Sequence, residues 1–462
     1  MKKPMNIEGT LDSIKGKAEY FLDEQLGLLE TLVSFDSGTG NLEGNLRVVE
    51  TLVPLLSPMA ETIERLEVPG VGIHLVCRVG KVGAERKILC LAHLDTVFEE
   101  GDSGENPFRI VGDRVYGLGV VDCKAGVVVS LYGLKIAHEL GLIPDDLEII
   151  VIYNCDEETG SRSTRPILES EASKAQLAFV FEPSRDPEII GAHLRGVAYG
   201  NIKAVAKGVK VTISSAKESN ADLAISRILT SLESHNDPAR GIYFYSFAYA
   251  GEPVKDEDDE ISLTDLLDGE NPAKGPKGSS GGGSGRGQGS GPNSGHGSGA
   301  SGGAVRGLIG GTPKGGFWDF PFERLEAEAD FLATFETDEG LKYVRQTLDK
   351  IGSSVWVPSC QVNTALKISR PSEEKNKNTL KAVNVVKKAG RRLGLELNEE
   401  KHLGVSDGSW CSFYGLSTID ALGPSMYDIH TKREALSLRT IVERTQLFAL
   451  SIALLEKDFF NA

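Results

Sequence analysis

The chain has 462 residues, 40% hydrophobic and 25% charged, the balance of a soluble globular protein with room for two or three domains. A net charge of −16 argues against a nucleic-acid backbone as partner, since phosphate binding needs a basic surface. The N-terminus lacks the apolar core of a signal peptide, and no run of 18 apolar residues predicts a membrane span. Six cysteines (Cys77, Cys90, Cys123, Cys155, Cys360, Cys411) show no CxxC pairing and several lie in apolar strands, so buried free thiols in a reducing cytoplasm are expected.

Residues 11–35 carry an apolar stripe at helical spacing, and residues 44–57 predict a second helix, with Pro54 weakening its last turn. Segments 62–67 and 71–79 read as strands around the Pro69-Gly70 turn. The run from Ile88 to His93 reads as a strand buried on both faces, and it delivers His93 and Asp95 together. A loop over 98–115 leads to Asp122 and a helix over 123–140. The near-continuous apolar strand 148–153 runs into Asp156-Glu157-Glu158, and the strand 177–181 ends at Glu182. Three core strands thus end in a His or a carboxylate, at the edge where open α/β sheets place their chemistry.

From about Arg195 the pattern changes. Strands are expected at 197–206, 208–213, 241–250, 325–337 and 361–368, with helices at 219–234 and 338–351. The acidic run 256–260 and the Gly/Ser-rich stretch 275–303 cannot bury a core and read as a tether. A helix over 376–394, returning elements at 404–408 and 416–422, a loop bearing His430 and a closing helix over 435–457 complete the chain. The fold class is therefore α/β: residues 1–194 and 369–462 form one domain with a mostly parallel sheet. It is interrupted by a smaller α+β domain, residues 195–368, with its disordered insert at about 251–305.

His93, Asp122, Glu158, Glu182 and His430 offer two imidazoles and three carboxylates, a donor set suited to zinc. Two ions about 3.5–4 Å apart need one bridging carboxylate. Asp95 is placed to accept the second N–H of His93 and fix its tautomer. Glu157, beside a ligand but pointing elsewhere, is placed to take a proton from water.

The motifs Ala92-His-Leu-Asp-Thr96, Gly119-Val-Val-Asp-Cys-Lys-Ala-Gly126, Asp156-Glu-Glu-Thr-Gly160, Phe181-Glu-Pro183, Val405-Ser-Asp-Gly408 and His430-Thr431 fall in the order of one family. The chain resembles the dinuclear zinc amidohydrolases and exopeptidases that include glutamate carboxypeptidase, aminoacylase, acetylornithine deacetylase and succinyl-diaminopimelate desuccinylase. The resemblance implies that residues 1–194 and 369–462 are a zinc-exopeptidase-like catalytic domain and 195–368 a ferredoxin-like lid, with two zinc ions per chain, which cobalt or manganese can replace. His93 would bind one ion and His430 the other, with Asp122 bridging beside a cis peptide to Cys123, and Glu158 and Glu182 completing the sets. Glu157 would act as general base and then general acid, and Asp95 would orient His93. The implied reaction is amide hydrolysis in a small peptide or an N-acyl amino acid.

The chain departs from the family in the lid. The family's His, which reaches across a dimer to the substrate, is replaced at or near Thr212 in Gly208-Val-Lys-Val-Thr-Ile-Ser214. Gly310-Gly-Thr312 runs into Pro313-Lys-Gly-Gly-Phe-Trp318 without the usual Asn, and the Arg expected after Asp330 is missing. A homodimer is left open, and Arg370 remains as a candidate to hold a substrate carboxylate. These losses motivate a second reading, a catalytically inactive or specialised relative whose remodelled lid binds a ligand or partner.

Overall fold

The computed structural model describes residues 7–206, 221–247, 326–358, 360–372, 377–402 and 406–455. The expected strand 208–213, the Gly/Ser-rich stretch, the acidic run and the altered lid motifs at 212 and 310–318 lie outside them.

Three helices open the chain: α1 (Ile7–Tyr20), α2 (Leu22–Val33) and α3 (Leu42–Leu56). The single helix expected over 11–35 is divided at Phe21, which packs on Tyr132 with ring centroids 5.6 Å apart. Asn41 starts α3 by accepting the Gly44 N–H, and Pro54 sits in its last turn. Strands β1 (Ala60–Val68) and β2 (Gly72–Gly80) form the expected antiparallel pair, followed by β3 (Arg86–His93).

The stretch 98–115, expected as a loop, contains a short helix, α4 (Asp102–Glu105), and two three-residue strands, β4 (Arg109–Val111) and β5 (Arg114–Tyr116). Strands this short carry too few residues to show an alternation. An irregular turn, Val120–Lys124, leads into α5 (Ala125–Glu139). Then come β6 (Leu147–Asn154), α6 (Arg165–Ala172), β7 (Leu177–Val180) and β8 (Ile189–Leu194).

The larger sheet has the order β1-β2-β6-β3-β7-β14, where β14 is Ser417–Ile419. The neighbours from β6 to β14 pair in parallel, and β2 runs against both β1 and β6. A central strand of such a sheet is covered on both faces, and all eight residues of β6 are buried. The C-terminal ends of β3, β6 and β7 therefore share one edge of the sheet.

A second sheet has the order β10-β11-β9-β12, antiparallel throughout, from β9 (Gly196–Ala206), β10 (Tyr243–Phe247), β11 (Glu326–Phe335) and β12 (Cys360–Arg370). Helices α7 (Ala221–Glu233) and α8 (Asp338–Ser353) bury Ile225, Ile228, Val344 and Leu348 with Phe331 and Phe244 in a core separate from that of the larger sheet.

The chain then returns through α9 (Lys377–Leu393), β13 (Asn398–His402) and α10 (Asp407–Phe413). Strand β13 pairs in parallel with β8, a contact the sequence did not predict. Beyond β14, the loop bearing His430 is pinched between β15 (Met426–Tyr427) and β16 (Ala435–Ser437). These join β5 and β4 in a small antiparallel sheet. The closing helix, expected to begin at 435, begins at Leu438 and forms α11 (Leu438–Ala453), because 435–437 are taken up by β16 pairing with β5. No helix among the described residues is long and apolar enough to cross a membrane.

Candidate metal centre

His93 is the last residue of β3, Glu158 and Glu182 follow β6 and β7, and Asp122 lies in the turn before α5. His430 is brought over by the loop between β15 and β16, where its backbone takes a left-handed φ of 60°. A non-glycine residue rarely adopts that conformation, and here it brings the imidazole to Asp122. The expected cis peptide joins Asp122 to Cys123.

The five expected ligands form two groups that share Asp122: His93, Asp122 and Glu182 with Cys123, and Asp122, Glu158 and His430. In each group the ligand atoms lie within 4.8 Å of one another. Asp122 Oδ1 is 2.9 Å from His93 Nε2, and Oδ2 is 2.9 Å from His430 Nε2. Glu182 Oε1 stands 3.8 Å from His93 Nε2, and Glu158 Oε2 stands 3.6 Å from His430 Nε2.

The electrostatics call for cations. Burial would lower the His93 pKa, but Glu182, Asp122 and Asp95 raise it well above the usual imidazole value. His430, against the same opposing burial, is raised to about 10 by Asp122 and Glu158. Burial, reinforced by Asp122, pushes Glu158 and Glu182 well above the carboxylate range. Glu158 Oε1 is buried with no hydrogen-bond partner. Crowded carboxylates, two imidazoles and an orphaned oxygen fit a pair of divalent ions. Cys123 stands in the first group, but its Sγ–H donates to Phe181 O at 3.1 Å and burial keeps the thiol protonated.

Asp95 supports the cluster in two ways. His93 Nδ1 lies 2.9 Å from the Asp95 main-chain oxygen and 3.4 Å from its Oδ1. The closer partner is therefore the backbone, not the carboxylate the sequence reading had in view. The carboxylate accepts the N–H groups of Glu157 and Glu158, each at 3.2 Å, and the Thr39 hydroxyl at 2.6 Å. It ties the acidic turn to the end of β3.

Glu157 shares a small cavity with His93, Glu182 and Asp407. Arg370, expected to reach a substrate carboxylate, is instead turned inward: it is 2% exposed and its Nη2 is 2.7 Å from Glu157 Oε1. Arg370 is the last residue of β12, and its guanidinium meets the acidic turn at Glu157 and Ser161. Asp407 accepts from Ser161 Oγ and Asn154 Nδ2. Burial pushes its carboxyl up to about 7 against the pull of Arg370.

A further residue, Glu434, lies beyond the last motif, His430-Thr431. This residue is 1% exposed, and its Oε1 accepts the N–H groups of Val121 at 2.9 Å and Asp122 at 3.3 Å. Nothing in local sequence marks it except a carboxylate four residues beyond a ligand.

Two glycines admit the Glu182 backbone. A Cβ on Gly126 would stand 2.1 Å from Phe181 O, and one on Gly423 would stand 2.6 Å from the same oxygen and 2.8 Å from Glu182 O.

Fold and site together define an α/β protein with two candidate metal-holding groups that share Asp122 at one edge of a mostly parallel sheet. The chain matches the profile of Peptidase family M20/M25/M40 over residues 89–453, and it belongs to that family. Among curated proteins it is 32% identical over 236 residues to carboxypeptidase G2 of Pseudomonas sp. (strain RS-16), covering 50% of this chain and 56% of that one. It is 26% identical over 211 residues to acetylornithine deacetylase of Vibrio campbellii, covering 45% and 52%. The chain thus matches about half the length of these relatives. Aminopeptidase PepT from Bacillus cereus shares the fold, with a TM-score of 0.63 at 14% identity, covering 94% of this chain and 99% of that one.

Proposed function

We propose that the chain hydrolyses an amide bond in a small peptide or N-acyl amino acid, as a metallo-exopeptidase of the carboxypeptidase type or a deacylase. The observation that carries this reading is Asp122, whose two carboxylate oxygens each face a different histidine at 2.9 Å. His93, Asp122 and Glu182 would hold one zinc ion, and Asp122, Glu158 and His430 the second, with cobalt or manganese as substitutes. When bound, the ions would supply Lewis-acid polarisation of the scissile carbonyl.

The protein's own groups do the rest. Glu157 takes the proton of the attacking water and returns it to the leaving amine. Asp95 fixes the turn that presents Glu157 and Glu158, and its backbone oxygen sets the His93 tautomer. The four-stranded unit acts as a lid inserted in the catalytic body. We place the protein in the cytoplasm, in keeping with six cysteines among which no disulfide is formed, five of them buried. The reading as an inactive relative is less favoured, because the ligand set and the base are both present.

The test is elemental analysis of the purified protein beside a hydrolysis screen of dipeptides and N-acyl amino acids. Two zinc ions per chain with turnover are expected. Glu157→Gln should keep the metal and lose about 10²–10⁴ in kcat. A metal-loaded protein that cleaves nothing in such a panel would refute the proposal and favour the binding role.

A further inference from the structure

We propose that Arg370 is a positioning residue: from the end of β12 it holds Glu157 to the four-stranded sheet, so the seat of that sheet sets the pose of the proton-transfer group. The inference rests on the reading of Glu157 as the base.

Arg370 closes β12 after a register shift, between Ile368 and Arg370, in its pairing with β9. Such an irregularity re-aims the side chain that follows it. The guanidinium enters the acidic turn, and Nη2 alone makes three contacts: Glu157 Oε1 at 2.7 Å, Glu157 O at 3.0 Å and Ser161 Oγ at 3.1 Å. Backbone and side chain of the same residue are therefore held from one point. Asp407 Oδ1 stands on the other flank at 3.8 Å from Nη2, and it also accepts from Ser161. The turn is thereby closed around the arginine.

The rest of the side chain argues against a substrate clamp. A bidentate grip on an incoming carboxylate needs an open edge of the fork. Arg370 is 2% exposed, its Nη1 reaches Ser369 O at 3.4 Å, and its Nε is buried with no partner. A buried ion pair adds little net stability compared with an apolar packing of the same volume. The pair is better explained by what it fixes. Arg370 is the connection through which a movement of the four-stranded sheet would be felt at Glu157, with no substrate atom between them.

The experiment compares the zinc-loaded full chain with Arg370→Lys and Arg370→Gln, on substrates with a free C-terminal carboxylate and on their amidated counterparts. The Gln variant should lose about 100-fold in kcat, the cost of a base displaced by about 1 Å, with KM and zinc content nearly unchanged on both substrate sets. The Lys variant, which keeps a positive charge to pair with Glu157 but loses the fork, should recover part of the loss. Hydrogen exchange at the amides of residues 157–161 should quicken in both variants while β6 stays protected. A rise in KM confined to free-carboxylate substrates, with kcat kept, would overturn the proposal in favour of a clamp. Unchanged exchange in 157–161 would overturn it as well, and it decides the matter even if the wild-type protein turns nothing over, a result that would sink the hydrolase reading instead.

Discussion

Asp122 depends on a residue that touches no ligand atom. Glu434 Oε1 gathers the N–H groups of Val121 and Asp122, while its Oε2 is buried without a partner. Burial and the nearby Asp122 push its carboxyl up to about 7. Glu434→Ala would strand two buried donors at about 1–3 kcal/mol each and loosen the bridge. Zinc affinity, measured by chelator competition, should fall about 10–100-fold, the usual cost of losing a group that orients a ligand. Glu434→Gln keeps an acceptor oxygen and should retain most of the affinity. At this scale the candidate ligands were legible because His93 ends an apolar strand and Glu158 and Glu182 follow two others, where a polar residue contradicts its surroundings. Glu434 and the inward turn of Arg370 were not, since a loop glutamate and a strand-end arginine look ordinary until the chain is folded around them.

Strand β6 carries a buried carboxylate of a different kind. Glu148 is 1% exposed and accepts from Arg78 Nη1 at 2.9 Å, from Gly83 N at 2.8 Å and from Lys87. Burial alone would raise its pKa, but Lys87, Arg78 and Gly83 together bring it below the usual value. Because the folded state holds it lower than the unfolded chain, its contribution is fully present above about pH 4.3 and is lost as pH falls through the depressed folded value. Glu148→Gln should therefore cost about 1–3 kcal/mol near pH 7, and the gap from wild type should narrow at acid pH in urea titrations. The long elements could be read from sequence, because an eight-residue buried strand stands out as a near-continuous apolar run and a fifteen-residue helix has room for several turns. The small sheet β15-β16-β5-β4 could not, and it is the element that brings His430 across to Asp122. Its strands are two or three residues long, and the pairing that joins its two hairpins, β16 with β5, is distant in sequence.

The described residues hold two separate cores, one packed as clusters on both faces of the six-stranded sheet and one between the four-stranded sheet and its helices. The five candidate ligands all lie outside the residues of the smaller sheet. A ligand that binds only the folded state stabilises by about 4 kcal/mol at a thousandfold excess over Kd. Calorimetry should show two transitions, and chelation should lower the one belonging to the larger core while leaving the other in place. A single transition that shifts whole would mean the two cores melt as one. The interruption of one sheet by another was legible as a change of character near Arg195. How the two sheets meet was not, because the meeting runs through single side chains such as Arg370.

The peptide between Phe181 and Glu182 packs against Gly126 and Gly423 with no room for a methyl group on either glycine. That contact works as a fixed gauge: it sets the reach of Glu182 toward His93 by the thickness of bare backbone, leaving no slack for adjustment. Alanine at either position would not remove a ligand or alter a charge, yet it would widen the gauge and spoil the cage. A saturation library should therefore find these two chemically silent positions as intolerant as the histidines themselves. Any redesign for a larger cation must begin there, by respacing two stretches of main chain before a single donor is changed.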